Sequence, residues 1–165
     1  MNYLILDPGE GLSIPADGIH AYLAGDIIEC MARSNNVLNT GFCPKAERAS
    51  AELFCSSLTF TPHSAQECIL QSELYKGGGH DKTRIYKPPM SEFNMLVTKL
   101  GPREKETLVA VEGPSVILVT RGAAQLKAEG RTWEISEWNV FFVAHGTEVV
   151  VESTNGLAMY TAYVE

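Results

Sequence analysis

The side chains best able to do chemistry crowd into one stretch, Ile14 to Lys45. There His20, Tyr22, Glu29, Arg33 and Lys45 are set among short apolar runs together with Cys30 and Cys43. Histidine titrates nearest neutrality of all side chains, so His20 is readable as a metal ligand or, without metal, as a general acid or base. The plainer alternative is a hydrogen-bonded histidine lining a β-barrel. Glu29 lies in "DIIECMA", where alternation puts Asp26, Ile28 and Cys30 on one face and Ile27, Glu29 and Met31 on the other. A carboxylate among apolar neighbours can give or take a proton. It can equally be a structural partner for a cation such as Arg33 or Lys45. Tyr22 falls on a neighbouring run and can share a cavity with both.

Elsewhere the chemistry thins out. His63, His80 and His145 are scattered without ligand spacing, and the strands of the C-terminal half show no His-x-His pair or acidic partner, so no second metal site is expected there. The stretch "KGGGHD" reads as a flexible loop rather than a phosphate cradle, because it lacks the Lys-Ser/Thr ending and the following helix. Four cysteines, Cys30, Cys43, Cys55 and Cys68, are spaced 13, 12 and 13 residues apart with no C-x-x-C pair, and are expected as free thiols.

These residues must be positioned by β-structure. Up to about Ala32, short β-rich runs ("NYLIL", "LSIPADG", "HAYLAGD", "IIECMA") alternate with turn signals such as "DPGEG". After Pro44 the pattern changes: Ala46, Ala49, Leu53, Phe54 and Leu58 fall near helical spacing behind a proline suited to a first turn, which predicts one helix over Ala46 to Leu58. Residues 61–90, with "TPHS", "KGGGHD" and "KPPM", read as a long irregular connection with one or two short edge strands. From residue 91 to 165, eight period-two runs follow at nearly even spacing, the pattern of a jelly roll or small barrel. Trp133, Trp138, Phe141 and Phe142 are expected in its core. The fold class is therefore mainly β, a jelly-roll β-barrel with one short helix. Its expected parts are a segment of strands plus helix over 1–60, the connection 61–90 and a C-terminal jelly roll over 91–165.

The 165 residues suffice for one ordinary domain with a real core, and the composition, 45% hydrophobic and 20% charged, excludes fibrous and disordered classes. A net charge of −7 without any basic cluster argues against nucleic-acid partners. No apolar run approaches a membrane span, and "MNYLILDPGEG" lacks the marks of a secretion signal, so a cytoplasmic protein without membrane partners is expected.

Taken in order, "PGE", "HAYL", "GDIIECMA", "SNN" and "GFCPK" resemble the type I mannose-6-phosphate isomerases, zinc-dependent cupin enzymes whose motifs read PGE, PHAYL, GDxxECMA, SDN and RAGxTPK. The match is dense over Asn2 to Lys45 and weaker beyond. It implies that the jelly roll is a cupin (double-stranded β-helix), with a partial first cupin half over 1–60 and a C-terminal cupin over 91–165. The resemblance implies that His20 is the motif's zinc ligand, Tyr22 its tyrosine, Glu29 a candidate for proton transfer and Lys45 the lysine near the substrate phosphate. Isomerising an aldose to a ketose moves a proton between adjacent carbons, which suits a base, an electrophile and a cationic phosphate clamp.

Two departures bear on that expectation. The family's other three zinc ligands, a glutamine, a histidine and a glutamate, would precede Met1. Zinc is then expected at His20 only if partner ligands are supplied, and otherwise no cofactor is expected. Asn39 stands where the family has an arginine, which weakens phosphate recognition. Arg33, where the family has a small or apolar residue, is either a replacement cation or a solvent-facing charge. The expectation is a repurposed isomerase-like cupin, binding a small organic ligand through Lys45, Asn39 and Arg33, with His20, Glu29 and Tyr22 moving protons in a metal-independent isomerisation or cyclisation. The alternatives are the C-terminal part of a zinc-dependent isomerase, inactive alone, and a non-catalytic binding module. A homodimer is expected, because strand edges begun inside a barrel would be left unpaired.

Overall fold

The computed structural model describes residues 2–33, 37–89 and 92–164, so the "SNN" motif at 34–36 lies outside the described residues. Two compact units divide the chain, Met1–Ile69 and Leu70–Glu165.

The first unit holds little regular structure. Its one short strand, β1 (Gly11–Leu12), pairs with β2 (Ile69–Leu70), and the Ser13 N–H donates to the Cys68 carbonyl at 2.9 Å. The single helix expected over Ala46 to Leu58 is broken in two. A 3-10 turn occupies Lys45–Glu47, and α1 begins at Ala51 and ends at Ser57. Ser50 accounts for the break: its extended backbone makes it an N-cap, with the Leu53 N–H donating to its Oγ at 3.1 Å. A second helix, α2 (Ala65–Cys68), is closed by a reciprocal capping box between Ser64 and Glu67. The period-two runs of Asn2 to Ala32 do not become strands apart from β1. A strand exists only where a neighbour completes its hydrogen bonds, and here those runs stay irregular. None of the described residues up to Ile69 is buried.

The second unit is an antiparallel sheet of eight strands: β3 (Ser72–Leu74), β4 (Thr83–Tyr86), β5 (Asn94–Leu100), β6 (Lys105–Leu108), β7 (Ser115–Ala128), β8 (Arg131–Ser136), β9 (Val140–Val143) and β10 (Val149–Tyr163). Their order is β3-β4-β5-β10-β7-β8, with β6 added to β10 and β9 to β7. The stretch read as a connection thus contributes two sheet strands, β3 and β4. Conversely, "SVILVTRG" and "AAQLKAEG" are one continuous strand, as are "TEVVVES" and "LAMYTAYVE".

Glycine explains the fusion. In β7 and β10 the glycines do not end the strand but bend it: Gly122 has φ +86° and Gly156 φ +120°, and the pairing register shifts between Ser153 and Leu157. Each long strand therefore serves two leaves. Residues 149–152 of β10 pair with β6 and residues 157–163 with β5, while β7 pairs with β9 through 115–118 and with β8 through 123–128. One hydrophobic cluster gathers both leaves, with Leu96, Ile117 and Met159 from one and Leu126, Ile135 and Val151 from the other.

The aromatic residues expected in this core are mostly not there. Trp138 is 69% exposed and Phe142 72% exposed, and Trp133 is exposed as well. Trp138 sits in the turn before β9 with a positive φ, and alternation along β9 turns Phe141 and Val143 inward and Val140 and Phe142 outward. Aliphatic side chains fill the core instead.

A Cβ added at Gly122 would strike the Gly156 backbone carbonyl, at a φ that side chains rarely adopt. Gly122→Ala is therefore expected to destabilise the fold by about 2 kcal/mol or more, measured by chemical denaturation.

Candidate active site

His20 and Tyr22 stand together in the first unit. Their rings meet edge to face with centroids 5.7 Å apart and planes at 73°. His20 Nδ1 lies 2.9 Å from the Gly18 carbonyl. Because a carbonyl only accepts, Nδ1 carries the proton, which leaves Nε2 of the neutral ring as a proton acceptor or ligand. Tyr22 is 50% exposed, yet burial against its neighbours pushes its phenol above the ordinary 10.0, and the nearby Glu29 carboxylate pushes it further the same way. Glu29 thus acts on Tyr22 electrostatically, while the ring contact joins His20 and Tyr22 alone. Among the described residues no ion pair ties Glu29 to Arg33 or Lys45.

The proposed ligand-holding residues are more scattered. Arg33 is exposed. Asn39 is exposed too, its backbone carbonyl accepting the Ala49 N–H at 2.8 Å. Lys45 opens the 3-10 turn and is exposed. Nearby, the Cys43 thiol donates to the Thr40 carbonyl and the Arg48 Nε–H to the Cys43 carbonyl, so the "GFCPK" loop is shaped by its own polar groups. Burial raises the Cys30 thiol, which keeps it protonated and a poor ligand. Among the described residues no three His, Cys, Asp or Glu side chains converge as a metal cage would require. Among the described residues His20 therefore has no companion ligands for a zinc ion.

One polar residue of the second unit escaped the sequence reading. Glu106 on β6 is 0% exposed, and its carboxylate accepts from the N–H groups of His80 (2.8 Å), Lys82 (2.8 Å) and Thr107 (2.9 Å) and from the Thr83 hydroxyl (3.1 Å). The His80 Nδ1 lies 3.5 Å away. This corrects one expectation. The "KGGGHD" segment is no flexible loop: Gly77, Gly78 and Gly79 are held by backbone bonds to Val109, Tyr75 and Thr107, and a side chain on Gly78 would crowd the Glu106 carboxylate. The signal was present in "KETL", where Glu106 is in phase with the buried Leu108. Burial alone would raise the Glu106 carboxyl, but the converging N–H and hydroxyl donors outweigh it and hold it below the ordinary carboxylate range. With its carboxylate fully buried and two backbone donors feeding one oxygen, Glu106 anchors the loop.

The antiparallel sheet with its two leaves sharing one core is a cupin-type architecture, and the motif residues sit in the less regular unit that precedes it. No family model matches the chain. Its sequence is nonetheless homologous along its whole length to mannose-6-phosphate isomerases. It is 36% identical to that of Schizosaccharomyces pombe over 168 residues, covering 100% of this chain and 40% of the relative. With that of Cryptococcus neoformans it shares 37% over 165 residues (100% and 37%), and with that of Aspergillus fumigatus 35% over 163 residues (93% and 35%). The chain thus spans well under half the length of these relatives. Among solved structures it is similar to a cupin superfamily protein of Desulfitobacterium hafniense (TM-score 0.44, 10% identity, 50% of this chain and 74% of the other). It is likewise similar to the Cnp3 cupin domain of Schizosaccharomyces pombe (TM-score 0.44, 11% identity, 51% and 66%).

Two measurements probe this geometry. Glu29→Gln is expected to lower the Tyr22 phenol in a spectroscopic titration yet leave it above 10.0, because burial is the larger cause. Glu106→Ala is expected to cost about 3–5 kcal/mol by stranding buried donors. Since the folded Glu106 is held below its unfolded value, its stabilisation is complete above the ordinary value of 4.5 and is lost as pH falls below it, in denaturation midpoints followed from neutral pH downward.

Proposed function

We propose that this chain is a mannose-6-phosphate-isomerase-like cupin protein that binds a small organic ligand beside His20, Tyr22 and Glu29 and isomerises it by acid–base chemistry of those side chains. What supports the reading is that the His20 and Tyr22 rings meet edge to face and that the Glu29 carboxylate acts on the Tyr22 phenol, whereas no three metal-ligating side chains converge among the described residues. In an aldose–ketose step the Glu29 carboxylate takes the proton from the hydroxyl-bearing carbon next to the carbonyl. Tyr22 donates to the carbonyl oxygen and His20 Nε2 receives the hydroxyl proton. The proton held by Glu29 then returns to the former carbonyl carbon, and the proton taken up by His20 passes back to the Tyr22 oxygen, so that substrate and side chains end with the protons they began with. Lys45 supplies a single positive charge for an anionic group of the ligand, and Asn39 supplies neutral hydrogen bonds where the family's motif has a cation.

The homology supports an isomerase-type reaction, and the exposure of all three side chains requires that ligand or partner exclude water from them. A second reading, in which another polypeptide completes the first unit, is favoured by the absence of any buried residue among its described positions. A homodimer is the simplest such assembly, and light scattering of the intact chain is expected to return twice the monomer mass of 18.0 kDa; a monomer overturns the dimer.

On a panel of aldoses, ketoses and their phosphates, Glu29→Gln is expected to lower turnover by roughly a hundredfold or more, the usual contribution of a positioned base. Unchanged turnover removes Glu29 from the mechanism. Stoichiometric zinc that disappears in His20→Ala would instead identify an assembled metal site completed by other chains.

A further inference from the structure

The second unit contains a small open cavity of about 20 Å³ on its inner face. Its wall is formed by Leu96, Leu108, Ile117, Val143 and Val149, with no charged side chain among the lining residues. Into this wall projects Thr161 of β10, which is 3% exposed and whose Oγ1 meets no hydrogen-bond partner among the described residues. A buried hydroxyl left without a partner costs free energy that an occupant can recover. Ser115, Thr147, Tyr75 and Tyr163 also line the cavity, and mainly apolar walls with a few placed polar groups are what small-molecule sites are made of. The mouth, at the half-exposed Val109, opens to solvent.

We propose that this cavity is a binding site for an uncharged, mainly apolar molecule whose single alcohol group hydrogen-bonds Thr161 Oγ1. The enclosed space exceeds the 10–15 Å³ that one water needs, but only slightly. It therefore seats the alcohol end, and the rest of the molecule lies along the aliphatic wall toward Val109. A carboxylate or phosphate is excluded, because it would be desolvated with no cation to meet it. The site lies within the second unit, separate in sequence from His20, Tyr22 and Glu29, and does not depend on the reaction proposed for them.

The test is a titration of the full chain, with its Leu, Ile and Val methyl groups carbon-13 labelled, against methanol, ethanol, 1-propanol and 1-butanol, with sodium acetate as the charged control. The site predicts saturable shifts confined to the methyls of Leu96, Ile117, Val143 and Val149, growing tighter along the alcohol series and absent with acetate. Thr161→Val should weaken them roughly tenfold, the loss of one hydrogen bond, and should raise the thermal midpoint of the unliganded protein by removing an unpartnered hydroxyl. Thr161→Ser, which keeps the hydroxyl, should respond like the unsubstituted chain and serves if the valine variant does not fold. Shifts that rise linearly with alcohol, that spread over the surface, or that are equal with and without the hydroxyl overturn the proposal, as does the absence of any shift.

Discussion

Two glycine backbones meeting inside the sheet govern the second unit. Gly122 and Gly156, both at positive φ, let β7 and β10 pass so closely that a side chain on Gly122 would strike the Gly156 carbonyl. Without that approach each would be an ordinary short strand, and the leaves carrying β5 and β9 on one side and β6 and β8 on the other would lose their shared members. The continuous pair carries the core with it. Ile117 and Val119 lie before the bend in β7 and Ala124 and Leu126 after it, while Val151 and Met159 flank the bend in β10. Packing, register and the small cavity all follow from two strands being allowed to bend together instead of stopping.

Polar anchoring supplies what apolar packing leaves undone. The Lys76–Thr83 turn has three consecutive glycines and the conformational freedom to be loose, but the Glu106 carboxylate gathers its N–H groups and orders it. Lys82 adds a second tie through Glu104, which also accepts the Gly101 N–H at 2.7 Å. A buried anion of this kind is tolerated because several donors face it, and it specifies one arrangement of the loop.

The first unit shows the opposite regime. Its helices are short and locally capped, its long-range ties are single backbone bonds such as Ala49 to Asn39 and Thr59 to Asp17, and its large apolar residues, Ile5, Leu23, Phe42 and Phe60 among them, are exposed. The candidate acid–base residues therefore lie on a surface whose water is not yet excluded. That is a constraint on any chemistry there, since proton transfer between sugar carbons depends on a dry, positioned base.

Much of this was legible in the chain. Alternation in "EFNMLVTKL", "RTWEIS" and "NVFFVAHG" placed strands near their observed positions, and the ordered motifs from "PGE" to "GFCPK" pointed to the isomerases that the chain is homologous to and singled out His20, Tyr22 and Glu29. The break at Ser50 was written as an N-cap and was overridden by the helical spacing around it. What local pattern determined was which residues alternate, which cap and which resemble a known site, because those depend on neighbours a few positions apart. Only the tertiary structure decided that glycines bend strands instead of ending them, that Glu106 is buried while Trp138 and Phe142 are not, and that of the described runs before Ala32 β1 alone becomes a strand. Each of those outcomes depends on which distant backbone arrives alongside, and a ladder of hydrogen bonds or a buried charge exists only when that partner is present.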